Sequence, residues 1–305
     1  MSLRLTDASL RQLKVFKSVV DNSGFSAAQA DLNTSAASIS IQMKELEEQL
    51  GMTLCERGRT GFKLTERGRA VYEATRGLFA SFDNFNLEIA NIREELVGEI
   101  RIGLQDNVST NPGFKMPEAL AHFNLRKNRV QFRIEEAASA EQEARTLEGR
   151  YNLAIGVFHH RIPALSYQKL FDEDVAIYCA KGHPLFDKAD TEITLEDLQQ
   201  AKFASTGLLQ STVSQSKHFT REPDAVAESM DAISLLLLSG QYIGFIPDHF
   251  ASIWVERGQM KVLLPKKTAS KAEFYMITKR GTRPPYAVET FIEDLLECHG
   301  LSNTG

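Results

Sequence analysis

Arg57 and Lys63 flank the turn Gly58-Arg59-Thr60-Gly61, and Arg59 lies within it, which places three cations on a hairpin whose glycines tolerate positive dihedrals. Leu54 to Arg57 and Phe62 to Leu64 read as its two short strands. Cations on such a wing suit the phosphate oxygens of a nucleic-acid duplex. Upstream, Ile39, Met43, Leu46 and Leu50 recur at the spacing of a helix with one buried face. Ala37, Ile41 and Lys44 fall on the opposite face, flanked by Ser38 and Ser40. An apolar pair there suits the thymine C5-methyl group in a major groove, where an arginine would grip guanine, so A·T-biased readout is expected. The bland alternative is that Ile41 covers a neighbouring side chain in the free protein. Ser40, Lys44, Arg57, Arg59 and Lys63 read as phosphate binders, or as a solvated charged face, since most protein–DNA hydrogen bonds go to the backbone. Ser26, Ser35, Ala37, Ser38 and Ile41 complete the expected DNA-binding set.

These residues need a frame of short helices. Ser26 is expected to cap a helix through Leu32, with Asn33 to Ser35 turning the chain. Thr34 or Ser35 then caps a longer helix that stops at Leu50 before Gly51. Leu10, Leu13, Phe16, Val19 and Val20 mark an earlier amphipathic helix, capped by Thr6 or Asp7 and ended by Asn22 to Gly24. Three helices and a basic hairpin in that order build a winged helix-turn-helix.

At this point the sequence resembles the LysR-type transcriptional regulators. The match runs through Phe16, Phe25-Ser26-Ala27-Ala28, Leu32, Ser40, Gln42, Leu46-Glu47, Leu50-Gly51, Leu54, Arg57, Leu64-Thr65 and Gly68 in one register. The family often has Phe where Cys55 stands, a polar residue near Ala36, and Arg or His where Ile41 stands, so its usual base contacts do not carry over.

From Thr65 one long helix is expected, with Val71, Thr75, Leu78, Phe82, Phe85, Ile89, Ile92 and Leu96 alternating at four and three residues as a two-stranded coiled-coil seam. Leu78, Phe82, Phe85, Ile89 and Ile92 are its expected dimer contacts, the alternative being packing on the chain's own C-terminal region. The resemblance also implies dimerisation through this helix, and tetramers through the later domain. Residues 1 to 70 carry ten Lys or Arg against eight Asp or Glu, leaving −7 on the rest of a chain whose net charge is −5. That asymmetry has the sign of a DNA-binding head on an acidic body.

Beyond Gly98, Glu99 to Leu104 opens a region where strands and helices alternate, the rhythm of an α/β domain with a mostly parallel sheet. Asn111 is expected to cap a helix with Pro112 in its first turn, and a helix is expected through Ala225 to Leu238. The resemblance implies a two-lobed, periplasmic-binding-protein-like effector domain, with landmarks at His183-Pro184-Leu185 and Gly240-Gln241-Tyr242-Ile243-Gly244. Gly149-Arg150-Tyr151-Asn152 departs from it, lacking a common Asp at the last position. Ligands of such folds lie between the lobes at strand ends. Ser109, Thr110 and Asn111, beside an expected helix N-terminus, and Ser205, Thr206 and Gly207 are the expected effector contacts, for a small anion. The alternative is that these hydroxyls only cap helices and close turns. His159-His160 is expected on a surface loop, with the crevice as the alternative.

The fold class expected is therefore multidomain: a winged helix-turn-helix head over 1–65, a linker and dimerisation helix over 66–97, and a two-lobed α/β effector-binding domain over 98–305. Lobe I takes about 98–168 and 270–305, and lobe II about 169–269. The chain shows no nucleophile elbow, P-loop, dinucleotide fingerprint or metal-ligand spacing, so neither an enzyme, a cofactor nor a metal is expected. Cys55, Cys179 and Cys298 lie far apart without a Cys-x-x-Cys, which indicates a reduced compartment. With no signal-peptide core at Met1-Ser2-Leu3-Arg4 and no apolar run long enough to cross a bilayer, a cytoplasmic protein is expected. The expected partners are double-stranded DNA, a small effector and further copies of the chain. A thiol redox-responsive regulator pairing Cys179 with Cys298, and an α/β solute-binding protein or enzyme with a helical head, remain as alternatives.

Overall fold

The computed structural model describes residues 6–58, 61–206 and 222–302, with the backbone alone at 57, 58, 61, 83, 84 and 87. The chain divides into two compact units, Met1–Ile89 and Ala90–Gly305.

The first unit holds α1 (Asp7–Asp21), α2 (Ala28–Leu32), α3 (Ala36–Leu50), β1 (Cys55–Gly58), β2 (Gly61–Leu64) and most of α4 (Glu66–Ile92). Thr6 caps α1 by accepting the Ser9 N–H, and Ser35 caps α3 by accepting the Ser38 N–H. Gly51, at φ 66°, closes α3 in the left-handed region that glycine enters without a Cβ clash. Ser26 is not a cap: α2 starts at Ala28 behind Ala27, and Ser26 offers its carbonyl, not its hydroxyl, to Gln29. Gln29 instead fixes the turn, its carbonyl accepting the Thr34 N–H and its side-chain oxygen the Ala36 N–H.

Phe16, Val19, Ala28, Ile39, Met43, Leu46 and Leu54 are wholly buried and form the core. Glu47 Oε1 accepts the Leu54 N–H at 2.6 Å and the Cys55 N–H at 3.3 Å, which ties α3 to the first wing strand. The strands pair antiparallel, Cys55 opposite Leu64 and Glu56 opposite Lys63. Gly68 is required by contact, since a Cβ there would stand 1.9 Å from the Leu54 carbonyl oxygen.

Helix α4 has 27 residues, about 40 Å at 1.5 Å per residue. It ends at Ile92, four residues before the expected Leu96, which lies outside it. The apolar seam also divides. Thr75 is buried, and Val71 and Leu78 pack on the core of the first unit, so Leu78 is occupied within its own chain. Phe82, Phe85 and Ile92 are 42%, 58% and 78% exposed.

In the second unit the described strands form one sheet in the order β4 (Arg129–Glu136), β3 (Val97–Leu104), β5 (Leu153–Val157), β11 (Ser270–Lys279), β6 (Leu165–Ala180), β9 (Ile243–Pro247), β7 (Phe203–Thr206), β8 (Ala225–Ala227). Strand β10 (Met260–Val262) pairs with β6 as well. β3 runs parallel to β4 and β5, and β7 parallel to β8 and β9. β6 and β11 are antiparallel to their neighbours, so the sheet is mixed where a mostly parallel one was expected. The cause is connectivity: β6 carries the chain from one lobe to the other and β11 carries it back. Only the second half of β6 is evident from its apolar run, because its first half mixes buried, half-buried and exposed residues without a regular period.

One lobe packs α5 (Met116–Asn124) and α11 (Tyr286–Cys298) on the sheet around Phe123, Phe274 and Phe291. Arg126 grips the buried carboxylate of Asp294 with two bonds of 2.6 and 2.8 Å, joining the end of α5 to α11. The other lobe has cores on both sheet faces, one around Ile177, Phe203 and Phe245, the other around Ile233, Leu237 and Ile246. α6 (Ser139–Leu147), α7 (Leu195–Gln200), α8 (Met230–Leu238), α9 (Asp248–Glu256) and the short α10 (Pro265–Thr268) complete the unit. Residues Ala225 to Ala227, expected as helix, pair with β7 as a strand, and α8 begins only after its cap, Ser229. Asn152, where the family commonly has Asp, accepts the Arg101 N–H through its Oδ1 at 2.7 Å.

Candidate functional site

In the first unit, α3 turns Ile39, Met43 and Leu46 inward and leaves Ala37, Ile41 and Lys44 exposed. Ile41 is 59% exposed, so it does not cover a neighbour in the free chain. Ser35 is also exposed, its hydroxyl already accepting from the Ser38 N–H, and Ser38 Oγ accepts from Gln42 Nε2 at 3.3 Å. Ser26 is exposed and Ser40 half-buried. Lys44 pairs loosely with Glu48 at 3.6 Å on open surface, a contact that a phosphate can displace. Lys63 is exposed on β2. Arg59 and Gly207 lie outside the described residues, and of Arg57 only the backbone is described.

In the second unit the expected effector segments fare unequally. No helix begins at Asn111: Val108–Thr110 is a single 3-10 turn, and α5 starts at Met116 with Pro117 in its first turn. Asn111 Oδ1 accepts the Gly113 N–H, closing an Asx turn, so the amide cluster expected to hold an anion is absent there. Asn111 itself is buried and donates from Nδ2 to Glu173 Oε1 at 3.2 Å. His249 Nε2 lies 2.7 Å from the same oxygen, and its Nδ1 is 2.8 Å from Thr110 Oγ1. A hydrogen-bonded chain thus links the β3–α5 loop, the crossing strand β6 and the first turn of α9. Ser109 is exposed and does not line the crevice, while Ser205 is buried and donates to the Thr206 carbonyl.

Thr206 does line the crevice. An inner recess, with about 30 Å³ free for water-sized groups, is walled by Gln105, Asp106, Glu173, Thr206, Glu228 and Met230, with His159 at its edge. An outer vestibule of about 760 Å³ shares Gln105, Asp106, Thr206 and Glu228, and adds Glu136 and Glu141. Asp106 Oδ2 accepts the Met230 N–H at 2.7 Å, at the N-terminus of α8 where a carboxylate is favoured. Burial nevertheless pushes the Asp106 carboxyl above the usual range, with Asp231 adding to the rise. The acids escaped the sequence reading because they come from segments far apart in the chain. One signal was available: Phe171, Glu173 and Val175 share the buried face of β6, an acid among apolar residues.

Cys179 and Cys298 sit in different cores, one in each lobe, so they do not form a thiol pair. Burial pushes the Cys179 thiol up to about 12, which leaves it without nucleophilic thiolate at neutral pH. Among the described residues His122, Asp294 and Glu297 approach one another closely enough for a cation, but Arg126 already neutralises Asp294.

Residues 10–69 match the bacterial regulatory helix-turn-helix protein of the lysR family, and residues 93–298 match the LysR substrate binding domain. The chain belongs to the LysR family. This LysR regulator is 33% identical over 290 residues, 95% of either chain, to the HTH-type transcriptional activator BauR of Pseudomonas aeruginosa. Its fold resembles full-length AphB, a Vibrio cholerae virulence activator, at a TM-score of 0.59 and 18% identity over 95% of this chain and 99% of that one. It also resembles CbnR in complex with its target DNA, at a TM-score of 0.52 and 21% identity over 95% and 99% of the two chains. Family membership makes the protein a DNA-binding transcriptional regulator under effector control, and not an enzyme. No helix among the described residues is long and apolar enough to cross a membrane.

Proposed function

We propose that this regulator reads an inverted repeat as a homodimer, through α3 in the major groove and the β1–β2 wing on the backbone, with α4 supplying the dimer seam. The reading rests above all on the exposed Ile41 on a helix whose opposite face buries Ile39, Met43 and Leu46 completely. An isolated isoleucine on the outer face of α3 has a thymine methyl as its natural partner, with Ala37 beside it. Ser26, Ser35, Ser38, Ser40, Lys44, Arg57, Arg59 and Lys63 are assigned to the phosphates. A tetramer forms when two such dimers join through their second units, and the protein acts in the cytoplasm, where its DNA is. The crevice lined by Asp106, Glu173 and Thr206 holds the effector, and the chain through Glu173 and His249 carries its presence from one lobe to the other.

Ile41→Ala and Lys63→Ala separate base reading from backbone holding. Ile41→Ala is expected to cost about 1 kcal/mol, mainly on sites with thymine at the contacted position. Lys63→Ala is expected to weaken all sequences alike and to lower the salt slope by about one unit. Affinities over a base-substitution series at two salt concentrations decide the matter. An equal loss at every base for Ile41→Ala would remove it from the reading face.

A further inference from the structure

Three carboxylates reach the inner recess from separate segments: Asp106 after β3, Glu173 in the middle of β6, and Glu228 between β8 and α8. Glu136 and Glu141 stand on the vestibule outside it. Among the described residues lining either space there is no Lys or Arg. An anion entering here meets like charges in a partly dehydrated space, whereas a cation meets its complement.

Glu173 makes the case specific. Its side chain is 7% exposed and its Oε1 holds both Asn111 and His249, while its Oε2 has no hydrogen-bond partner among the described residues. Glu173 lines the recess, so the oxygen that its two protein partners leave open faces that space, and a charged N–H donor is the group that a carboxylate oxygen binds best. The recess is also small. About 30 Å³ is free for water-sized groups, against the roughly 10–15 Å³ that holds one water, so a compact head such as an ammonium suits it.

We propose that the effector carries a protonated primary amine, whose ammonium group enters the recess and donates to Glu173 Oε2, with Asp106 and Glu228 beside it. The body of the molecule lies in the vestibule. This rests on reading the crevice as the effector site, and it replaces the anion expected from residues 107–111. Because Glu173 also anchors the chain through His249 and Asn111, an ammonium bound there acts on contacts that span both lobes.

The test uses the full chain and five probes of similar length: n-butylamine, 1,4-diaminobutane, 4-aminobutyrate, n-butyrate and succinate. Thermal melting and calorimetry are expected to show binding by one or more of the amines and none by n-butyrate or succinate. Glu228→Gln is expected to weaken that binding about tenfold. The control Glu256→Gln, an exposed acid lining neither space, binds the amine as the parent does. The proposal is overturned if the carboxylates bind and the amines do not, if no amine binds at about 10 mM, or if Glu228→Gln and Glu256→Gln behave alike. Footprinting the same preparation on DNA keeps the outcomes apart. A failed amine with an intact footprint removes this assignment alone, and a lost footprint removes the reading of the whole protein.

Discussion

Phe82→Asp is expected to leave the protein monomeric at micromolar concentration. Phe82, Phe85, Ile89 and Ile92 follow one another at the three- and four-residue steps of a coiled-coil seam, and Phe82 and Phe85 are exposed to 42% and 58% in the single chain. In a symmetric dimer each copy meets its counterpart, so one substitution buries two unpaired carboxylates. A single uncompensated buried charge costs about 3–5 kcal/mol, which is two to four decades in the dimer constant at about 1.4 kcal/mol per decade. Light scattering and sedimentation read the mass directly. The neighbouring substitution Leu78→Asp is expected to act differently, by unfolding the first unit, because Leu78 packs on that unit's own core. A Phe82→Asp protein as dimeric as the parent would place the dimer contact elsewhere.

Gly68→Ala is the most damaging small change expected in the first unit. The added methyl would stand 1.9 Å from the Leu54 carbonyl oxygen and 2.8 Å from its carbon, so backbone must move and no side chain can yield in its place. The same carbonyl accepts the Thr65 N–H and the Thr65 hydroxyl, so a shift there breaks the start of α4 as well. Overpacking of this kind costs about 1–3 kcal/mol and more where backbone is the obstacle. For a unit of this size each kcal/mol lowers the melting temperature by about 4–8 °C. The full chain should therefore show an early first transition, about 10 °C or more below the parent, and lose DNA affinity at temperatures where the parent still binds. A first transition within about 1 °C of the parent would mean that the α4–β1 approach is looser than described.

The first unit was legible in its sequence because each boundary has a local cause: Thr6, Ser35 and Gly51 cap where cap residues were expected, and Ile39, Met43 and Leu46 are buried where the stripe required. The exception, Ser26, looks like a cap, but Gln29 takes over the turn through its own side chain, a contact across seven residues that no local pattern reveals. In the second unit Asn111-Pro112 has the signature of a helix start. Gly113 follows it, an Asx turn forms, and the later Pro117 marks the true first turn of α5. Ala225 to Ala227 has helical composition and becomes a strand only because β7 offers it an edge. The recess was the least legible part. Asp106, Glu173 and Glu228 are ordinary acids when read singly, and their chemistry arises from being brought to one cavity by three different elements.

The most direct measurement of the protein's role is a footprint of the full chain on genomic fragments selected by binding, with and without the amine probes. Two protected half-sites in inverted repeat are expected, with centres separated by about 10–10.5 base pairs or a multiple of it. The protection should shift or weaken when an amine fills the recess, and Phe82→Asp should reduce it to weak binding at single half-sites. Protection of one isolated half-site by the parent protein, or a footprint unchanged by every ligand that raises the melting temperature, would contradict a dimeric regulator controlled through the crevice.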